Sequence, residues 1–452
     1  MPSTSRRRLL ALAASGGLGA LGGYGYAVRD DPQRNPLRDA DCDPAPLTSV
    51  PTEWPYPGYD ANRTGAAPAE SAPDESLTER WHAETEKGAI GQPVAANGLV
   101  FVCFAPDFGG DDAVQMLRAY DLQTGEERWR QRLAPDYFDR FPPVVALGDS
   151  LYTIREVDGT DVVAALAMSD GSIRWQRSPR LNALLESDAR YAPELTVFDG
   201  HVYSLVEGVG PSGDRTFVQL LHPQTGDECR RMSLPTDDLS SPVFADGFAA
   251  FAEWGDAVVG VERTTREVAW RTTFDTGTVR LSAAEDRLYV SGFDGIFAAL
   301  SPADGERLWT HETTHYLPGG TEGDKEYALP TLEVGVVIGE LLVLRERVYS
   351  DYSDRMKALD AETGEVQWTY TPDHPAGEVR LSRPVAAGSR VYATELDYQS
   401  DRWRLVQLGF DDGDRLESVE LAGIPTLRAT PIVTDSTVVV PTNRGLQAFG
   451  GE

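Results

Sequence analysis

Short apolar runs broken by glycine turns fill most of the chain. LDAETGEVQW, Leu359 to Trp368, shows the pattern. Its central Thr-Gly step suits a hairpin turn, because glycine tolerates positive φ. On either side of the turn, successive residues belong to opposite faces, as they do in β-strands. The pattern therefore predicts strands joined by hairpins rather than helices.

This strand-turn-strand phrase recurs, with neighbouring copies roughly 40 to 60 residues apart, a spacing typical of units of four short strands. The turn residues of the copies are Gly125, Gly171, Gly226, Arg266, Gly305, Gly364 and Gly413. In five of the seven copies, a small residue precedes the turn residue by six positions: Ala119, Ala165, Gly260, Ala299 and Ala358. A phrase repeated in register indicates architecture rather than a catalytic site.

A tryptophan follows the turn residue by four positions in most copies: Trp129, Trp175, Trp270, Trp309 and Trp368. Arg230 and Glu417 replace it in the third and seventh copies. The small residue and the tryptophan belong to the two strands that flank one turn. We expect the small residue to leave room for a neighbouring ring, and the indole to pack between units as a docking residue. The alternative is a sugar-stacking platform, which a fixed register inside a strand does not favour.

Each unit also has an opening strand pair, such as GQPVAANGLVFV (Gly91 to Val102). The sequence contains eight opening strand pairs but only seven copies of the strand-turn-strand phrase. The missing copy is split across the termini, because Ala448 occupies the small-residue position and Trp81 is a tryptophan without its own turn. The sequence therefore predicts an all-β fold, an eight-bladed β-propeller of four-stranded antiparallel blades. The strand around Trp81 is expected to pair with the C-terminal blade and close the ring.

The repeated phrase resembles the docking motif of the pyrroloquinoline-quinone (PQQ) repeat family. The stretch EWPYPGYDANRTGAAP (Glu53 to Pro68) is similar to the lead-in of secreted members, and the resemblance covers about Glu53 to Glu452. It implies a secreted, haloarchaeal-type propeller of one of two kinds. One kind is a quinoprotein dehydrogenase that holds PQQ and calcium. The other is a non-enzymatic propeller that binds proteins, similar to the lipoprotein of outer-membrane β-barrel assembly.

The residues that a quinoprotein dehydrogenase needs are not evident in the sequence. Such an enzyme needs a base, calcium and groups that clamp the carboxylates of the quinone. The resemblance implies two adjacent cysteines in many such alcohol dehydrogenases, yet no two cysteines adjoin here. We therefore expect no catalytic residue, no metal ligand and no cofactor, with PQQ and calcium bound only under the alternative interpretation.

Arginines recur in the lead-in to the opening strand, on the side of each unit nearest the predicted axis. They are Arg140, Arg190, Arg280, Arg380, Arg383 and Arg428. Guanidinium groups that converge on the channel mouth would form an anion site, since arginine binds carboxylate or phosphate bidentately. The alternative is that each arginine pairs with a nearby aspartate on a salt-exposed rim.

Composition adds a strongly acidic surface. The 452 residues carry a formal charge of −30, and only Lys87, Lys325 and Lys357 are lysines. Such a surface repels nucleic acid and anionic membranes. Because the acidic residues are evenly spread, we interpret the charge as the solvation chemistry of a halophilic protein. An acidic patch for a cationic partner is the alternative.

The N-terminus is interpreted as a targeting segment. Arg6, Arg7 and Arg8 precede a short apolar stretch, which resembles a twin-arginine signal. The predicted organisation is a signal or anchor segment over 1–26, a Pro- and Asp-rich linker and lead-in over 27–76, and the propeller over 77–452. Within the lead-in, Asn62 begins a glycosylation sequon and is a candidate acceptor.

The three cysteines, Cys42, Cys103 and Cys229, are not expected to form a disulfide framework or a zinc site. Cys103 lies in an apolar run and is expected in the core. Lipidation of Cys42 is an alternative that the preceding residues, RDAD, do not favour.

The sequence thus predicts an exported, monomeric, non-catalytic propeller that binds protein partners at the cell envelope as a scaffold. It is not expected to bind nucleic acid, and it would contact a membrane only through an uncleaved N-terminal segment. A PQQ-dependent dehydrogenase is the first alternative, and a surface-glycan binding protein is the second.

Overall fold

Eight antiparallel sheets surround a central channel, and each sheet is one blade of a closed β-propeller. The computed structural model describes residues 42, 47–73, 76–106, 114–135, 141–178, 190–210, 213–234, 239–253, 257–274, 278–284, 286–292, 295–313, 332–347, 353–373, 378–426 and 429–451. They lie in the unit Asp41–Glu452, whereas the unit Met1–Ala40, which includes the predicted signal, is outside them. The all-β, eight-bladed prediction is confirmed.

The first strand of each blade lines the channel, and the fourth lies at the rim. Blade 1 consists of Ala89–Ile90 with Val94–Ala96, Leu99–Ala105, Val114–Asp121 and Glu127–Pro135. Blade 2 consists of Val144–Leu147, Ser150–Val157, Thr160–Ala167 and Ile173–Arg177. Blade 3 consists of Arg190–Phe198, His201–Gly210, Gly213–Leu221 and Glu228–Leu234. Blade 4 consists of Val243–Ala245, Phe248–Glu253, Ala257–Glu262 and Val268–Thr273.

The other four blades follow the same order. Blade 5 consists of Thr278–Ala283, Leu288–Gly292, Ile296–Leu300 and Arg307–Glu312. Blade 6 consists of Leu332–Ile338, Leu341–Arg347, Asp354–Asp360 and Val366–Tyr370. Blade 7 consists of Val379–Leu381 with Val385–Ala387, Arg390–Asp397, Arg402–Gly409 and Arg415–Glu420. Blade 8 consists of Ile432–Thr434, Thr437–Thr442, Gly445–Gly450 and Thr78–Glu84, and the remaining elements are the strand Ala66–Ala67 and the 3-10 helix Ala69–Ser71.

Blade 8 joins the two ends of the propeller. Its fourth strand, Thr78–Glu84, pairs antiparallel with Gly445–Gly450, and Trp81 is the register partner of Ala448. The predicted closure by an N-terminal strand is therefore confirmed. The N-terminal and C-terminal strands of the described propeller thus share one sheet.

Six tryptophans each contact the turn glycine of the following blade. A Cβ atom built on these glycines would lie 2.4–2.7 Å from the indole ring, closer than real Cβ contacts. The pairs are Trp81–Gly125, Trp129–Gly171, Trp175–Gly226, Trp270–Gly305, Trp309–Gly364 and Trp368–Gly413. The six turn glycines also have φ between 67° and 74°. Glycine is thus required by the backbone conformation and by the ring.

Each of these indoles is also oriented by a hydrogen bond. Nε1 donates at 2.7–3.0 Å to a carbonyl oxygen in the next blade's turn: Leu122, Met168, Pro223, Pro302, Ala361 and Phe410. The ring therefore contributes both apolar area and a satisfied polar group to the blade interface. Its register partner on the neighbouring strand is the small residue of the phrase, as Ala119 is for Trp129.

Two interfaces lack the tryptophan, and they also lack the glycine turn. Arg230 faces blade 4, whose turn residue is Arg266 with φ 62°. There the stacked rings of Phe198 and Phe244, with centroids 3.8 Å apart, join blades 3 and 4. At the ring closure, the carboxylate of Glu417 instead accepts a hydrogen bond from the Leu77 amide at 3.0 Å. The tryptophan and the turn glycine are absent from the same interfaces, which supports the interpretation that they form one contact.

A disulfide joins Cys42 to Cys229 across 187 positions of sequence. The scattered cysteines did not predict this bond, because sequence spacing does not report which strands become neighbours. The bond uses the Cys42 thiol that lipidation would need. Cys103 is free and buried, as expected, and burial raises the pKa of its thiol to about 12, which makes it unreactive.

Gly125→Ala should destabilise the protein more than Gly98→Ala. Both glycines have φ 71°, so both substitutions incur the cost of a left-handed residue, about 1–2 kcal/mol. A Cβ on Gly125 would also lie 2.6 Å from Trp81, whereas the described residues place nothing within 4 Å of one on Gly98. Displacing the ring should lower the free energy of unfolding by a further amount of about 1–3 kcal/mol. Equal midpoints of denaturant unfolding for the two variants would contradict the docking role.

Candidate functional site

Residues 52–71, which we call the belt, follow one end of the channel and bond to every blade in turn. Six amides next to the first hairpins donate to belt oxygens at 2.7–3.0 Å: Ala95, Ala146, Phe244, Ala283, Val337 and Ala386. In blade 3 the direction is reversed: the Tyr56 hydroxyl of the belt donates a hydrogen bond to the Val197 carbonyl oxygen at 2.6 Å. Blade 8 donates from Asp435 to Thr52 and from Ser436 to Ser71.

Local sequence explains why the belt is ordered. The Asp60 carboxylate accepts bonds from the Asn62 amide, the Thr64 amide and the Thr64 hydroxyl at 2.7–3.0 Å, which folds the segment into a turn. Trp54 is completely buried. A Cβ on Gly65 would lie 1.7 Å from the Gly335 carbonyl oxygen, so only glycine permits this approach to blade 6.

The belt differs from the linker expected between residues 27 and 76. Proline and acidic residues made the stretch resemble a solvated connection. Its described part instead supplies oxygens to first-strand amides that face the channel, where no strand of a blade lies beside them. Such edge groups need partners, and the belt provides them at one end of the ring.

Two cavities lie in the channel, with volumes of about 100 and 260 Å³. Both are lined by Arg63 from the belt, Arg280 from blade 5 and Arg383 from blade 7. The larger one also contacts the carboxylates of Asp60 and Glu194. The axial chamber is thus small, polar and lined by three guanidinium groups.

The contacts of these arginines are unequal. Arg63 donates to the carbonyl oxygens of Ser241 at 2.8 Å and Leu281 at 3.2 Å. Arg280 lies 3.4 Å from a carboxylate oxygen of Glu333. The other oxygen of Glu333 is bonded to the buried guanidinium of Arg345. One carboxylate therefore serves two arginines.

Arg383 makes no side-chain hydrogen bond or ion pair within the part of the chain that the structure describes. Burial lowers the pKa of its guanidinium well below the ordinary value, and the charges of Arg280 and Arg345 lower it further. Its charge therefore lies in an unfavourable environment.

The structure brings Arg280 and Arg383 together but separates Arg380 from them. Arg380 is paired with Asp354 at 3.2 Å and Glu378 at 3.1 Å, and the pair with Asp354 is buried. Arg140 and Arg428 lie outside the described residues, and of Arg190 only the backbone is described.

Sequence reasoning missed Arg63, Asp60, Glu194 and Glu333. In five blades, the residue just before the proline that leads into the first strand lines a cavity: Gln92, Pro142, Ser241, Arg383 and Thr430. This position is readable from the sequence, and it separates Arg383 from the other predicted arginines. No periodic signal marks Arg63, because the belt occurs once.

Asn62 is part of the belt. Its carboxamide oxygen accepts a hydrogen bond from the Phe244 amide at 2.8 Å, and its carbonyl accepts one from Ala283 at 3.0 Å. Glycan attachment at Asn62 stays a prediction.

The described channel residues do not fit PQQ together with calcium. Both cavities are below the roughly 300 Å³ at which ligand pockets usually begin. Calcium takes about six to eight oxygen ligands. The two carboxylates that line the larger cavity, Asp60 and Glu194, instead accept hydrogen bonds from Thr64 and Ser241. In the described ranges, no three His, Cys, Asp or Glu residues form a group that could hold a metal ion. Likewise, no helix among the described residues is long and apolar enough to cross a membrane.

A known protein family matches most of the chain. The family described as "Outer membrane protein assembly factor BamB" matches residues 72–204, 214–335 and 338–449. No curated protein sequence matches.

Several solved structures share the fold. Quinohemoprotein alcohol dehydrogenase ADHIIG from Pseudomonas putida HK5 has a TM-score of 0.60 and 13% identity, covering 88% of this chain and 76% of that chain. For a europium-containing methanol dehydrogenase the TM-score is 0.56 with 13% identity, covering 86% and 89%. For the computationally designed Ika8 protein the TM-score is 0.52 with 15% identity, covering 82% and 99%. At these identities the likeness concerns the fold alone.

Asp60→Ala should release the belt, whereas Asp121→Ala should not. Asp60 accepts three hydrogen bonds inside the belt, so its loss should cost about 3 kcal/mol. Asp121 organises an exposed turn and pairs with Arg128, which is worth about 1 kcal/mol or less.

Trypsin gives a direct reading of this difference. Arg63 is the one basic residue of the belt, so cleavage after it should become rapid in Asp60→Ala and stay slow in Asp121→Ala. Slow cleavage in both variants would contradict the role given to Asp60.

Proposed function

Because the chain belongs to the family described as outer membrane protein assembly factor BamB, we propose that it is an exported, non-catalytic β-propeller that binds other proteins at the cell surface. The match spans all eight blades. The relative's printed description concerns assembly rather than catalysis. This family membership is the observation that carries the proposal.

The belt supports a binding role that avoids the channel. It runs along the end of the channel beside the first hairpins and bonds to all eight blades. A substrate that entered there would meet the belt. Recognition is therefore assigned to the outer surface.

The rim offers suitable groups for a protein partner. Five described fourth strands carry an exposed apolar residue, with exposed fractions of 42–57%: Ile173, Val268, Leu308, Val366 and Leu416. Four of them lie on the consecutive blades 4 to 7. Fourth strands also present an unpaired backbone edge, to which an extended segment of a partner can add as a further strand.

The disulfide supports the exported location. Disulfides persist in oxidising compartments and are rare in reducing cytosol. The bond between Cys42 and Cys229 agrees with the twin-arginine-type signal predicted at the N-terminus, since that export route serves proteins that fold before export.

Leu308→Ser combined with Leu416→Ser should abolish partner capture without unfolding the ring. The full tagged chain is expressed in its own cells, cross-linked at the envelope and purified at high salt. Wild type should enrich a defined protein, and the double variant should lose at least nine-tenths of it. Ile424→Ser, an exposed residue outside the fourth strands, is the control and should retain it. Equal capture by all three chains would contradict the rim assignment.

Added PQQ and calcium should not give the purified chain alcohol-dependent dye reduction. The reason is that the described channel residues do not fit these groups. The assay uses the full chain with a PQQ-dependent dehydrogenase as the positive control. Turnover that depends on both PQQ and an alcohol would overturn the non-catalytic proposal.

A further inference from the structure

The chamber beneath the belt holds more positive charge than its described acidic residues neutralise. Arg63, Arg280 and Arg383 line both cavities. Among the described carboxylates, only Glu333 lies within ion-pair distance of any of the three, and it is shared with Arg345.

The two carboxylates that line the larger cavity accept hydrogen bonds from neutral groups. Glu194 accepts from the amide and hydroxyl of Ser241 at 2.8 and 2.6 Å. Asp60 accepts from Thr64 and Asn62 within the belt. Burial lowers the pKa of Arg63 and Arg280, and the charge of Glu194 opposes that shift in both. The charges that act on Arg383 are those of other arginines, so within the described structure Arg383 has no ionic partner.

Proton loss cannot remove this charge, because a guanidinium group stays protonated at neutral pH. Leaving it unpaired inside the fold is costly. The Arg280 side chain nevertheless keeps an exposed fraction of 40%, so protein atoms do not fill the chamber. A small anion that occupies this space would balance the charge.

The class of anion follows from the donors and the space. A guanidinium presents two parallel N–H groups that match two oxygens of a carboxylate or phosphate. The cavities, about 100 and 260 Å³, admit a small ion but not a large cofactor. The protein's net charge of −30 repels anions elsewhere, which makes this cluster a local exception.

We propose that this chamber is a binding site for a small oxyanion, held by Arg383 with Arg280 and Arg63 as neighbouring donors. The oxyanion joins blades 5 and 7 to the belt, since each contributes one of the arginines. The site is separate from the rim assigned to partner binding and does not depend on that assignment.

The probe is inorganic phosphate, titrated into the full chain at constant chloride concentration and followed by calorimetry and thermal unfolding. Wild type should bind one phosphate per chain and show a saturable rise in Tm. Arg383→Gln and Arg280→Gln should each weaken binding at least tenfold. Arg130→Gln, which removes an exposed arginine at the rim, is the charge-matched control and should leave binding unchanged. Malonate in place of phosphate distinguishes a carboxylate site from a phosphate site.

The unliganded Tm separates ligand binding from a structural role. Without phosphate or malonate, Arg383→Gln should unfold at the same temperature as wild type or higher, because it removes an unbalanced charge. No saturable binding of either anion by wild type would overturn the proposal. Undiminished binding by both Arg383→Gln and Arg280→Gln would also overturn it.

Discussion

The ring depends on the contact between an indole and a turn that has no side chain. Each docking tryptophan lies where a Cβ on the next blade's glycine would have to be, and its Nε1 bonds to a carbonyl of that same turn. The contact sets the distance and the rotation between blades together. Repeated around the ring, it allows strands of differing length and connections of differing sequence to share one architecture. At the interface of blades 3 and 4, where both partners are absent, stacked phenylalanines replace it.

The belt adds a second constraint, which acts across the ring instead of between neighbours. First strands face the channel with amides that have no neighbouring strand within a blade, and one short segment satisfies a group on every blade. Blade-to-blade docking alone would leave the channel open at that end. With the belt in place, a small chamber remains beneath it, and the proposed protein partner is assigned to the rim. The proposed oxyanion and the proposed protein partner therefore occupy different parts of the molecule.

The features that could be predicted from the sequence are those whose sequence pattern repeats along the chain. Trp129, Gly171 and their counterparts recur in register, so the number of blades and the split eighth blade were readable from sequence. The belt occurs once, and its proline-rich composition resembles a linker. Arg380 and Arg383 looked equivalent as neighbours in one lead-in, yet one pairs with Asp354 while the other lines the cavities. The partner of Cys42 was unreadable because it depends on a contact 187 positions away.

Hydrogen exchange at the first-strand amides tests most directly whether one belt satisfies the whole ring. Ala146, Phe244, Val337 and Ala386 should exchange slowly in the full chain, although no strand of a blade pairs with them on the channel side. In Asp60→Ala these amides should lose protection together, while the strands flanking the tryptophan-docked turns stay protected. Rapid exchange at these amides in the unmodified chain, or protection unchanged by the substitution, would contradict the account.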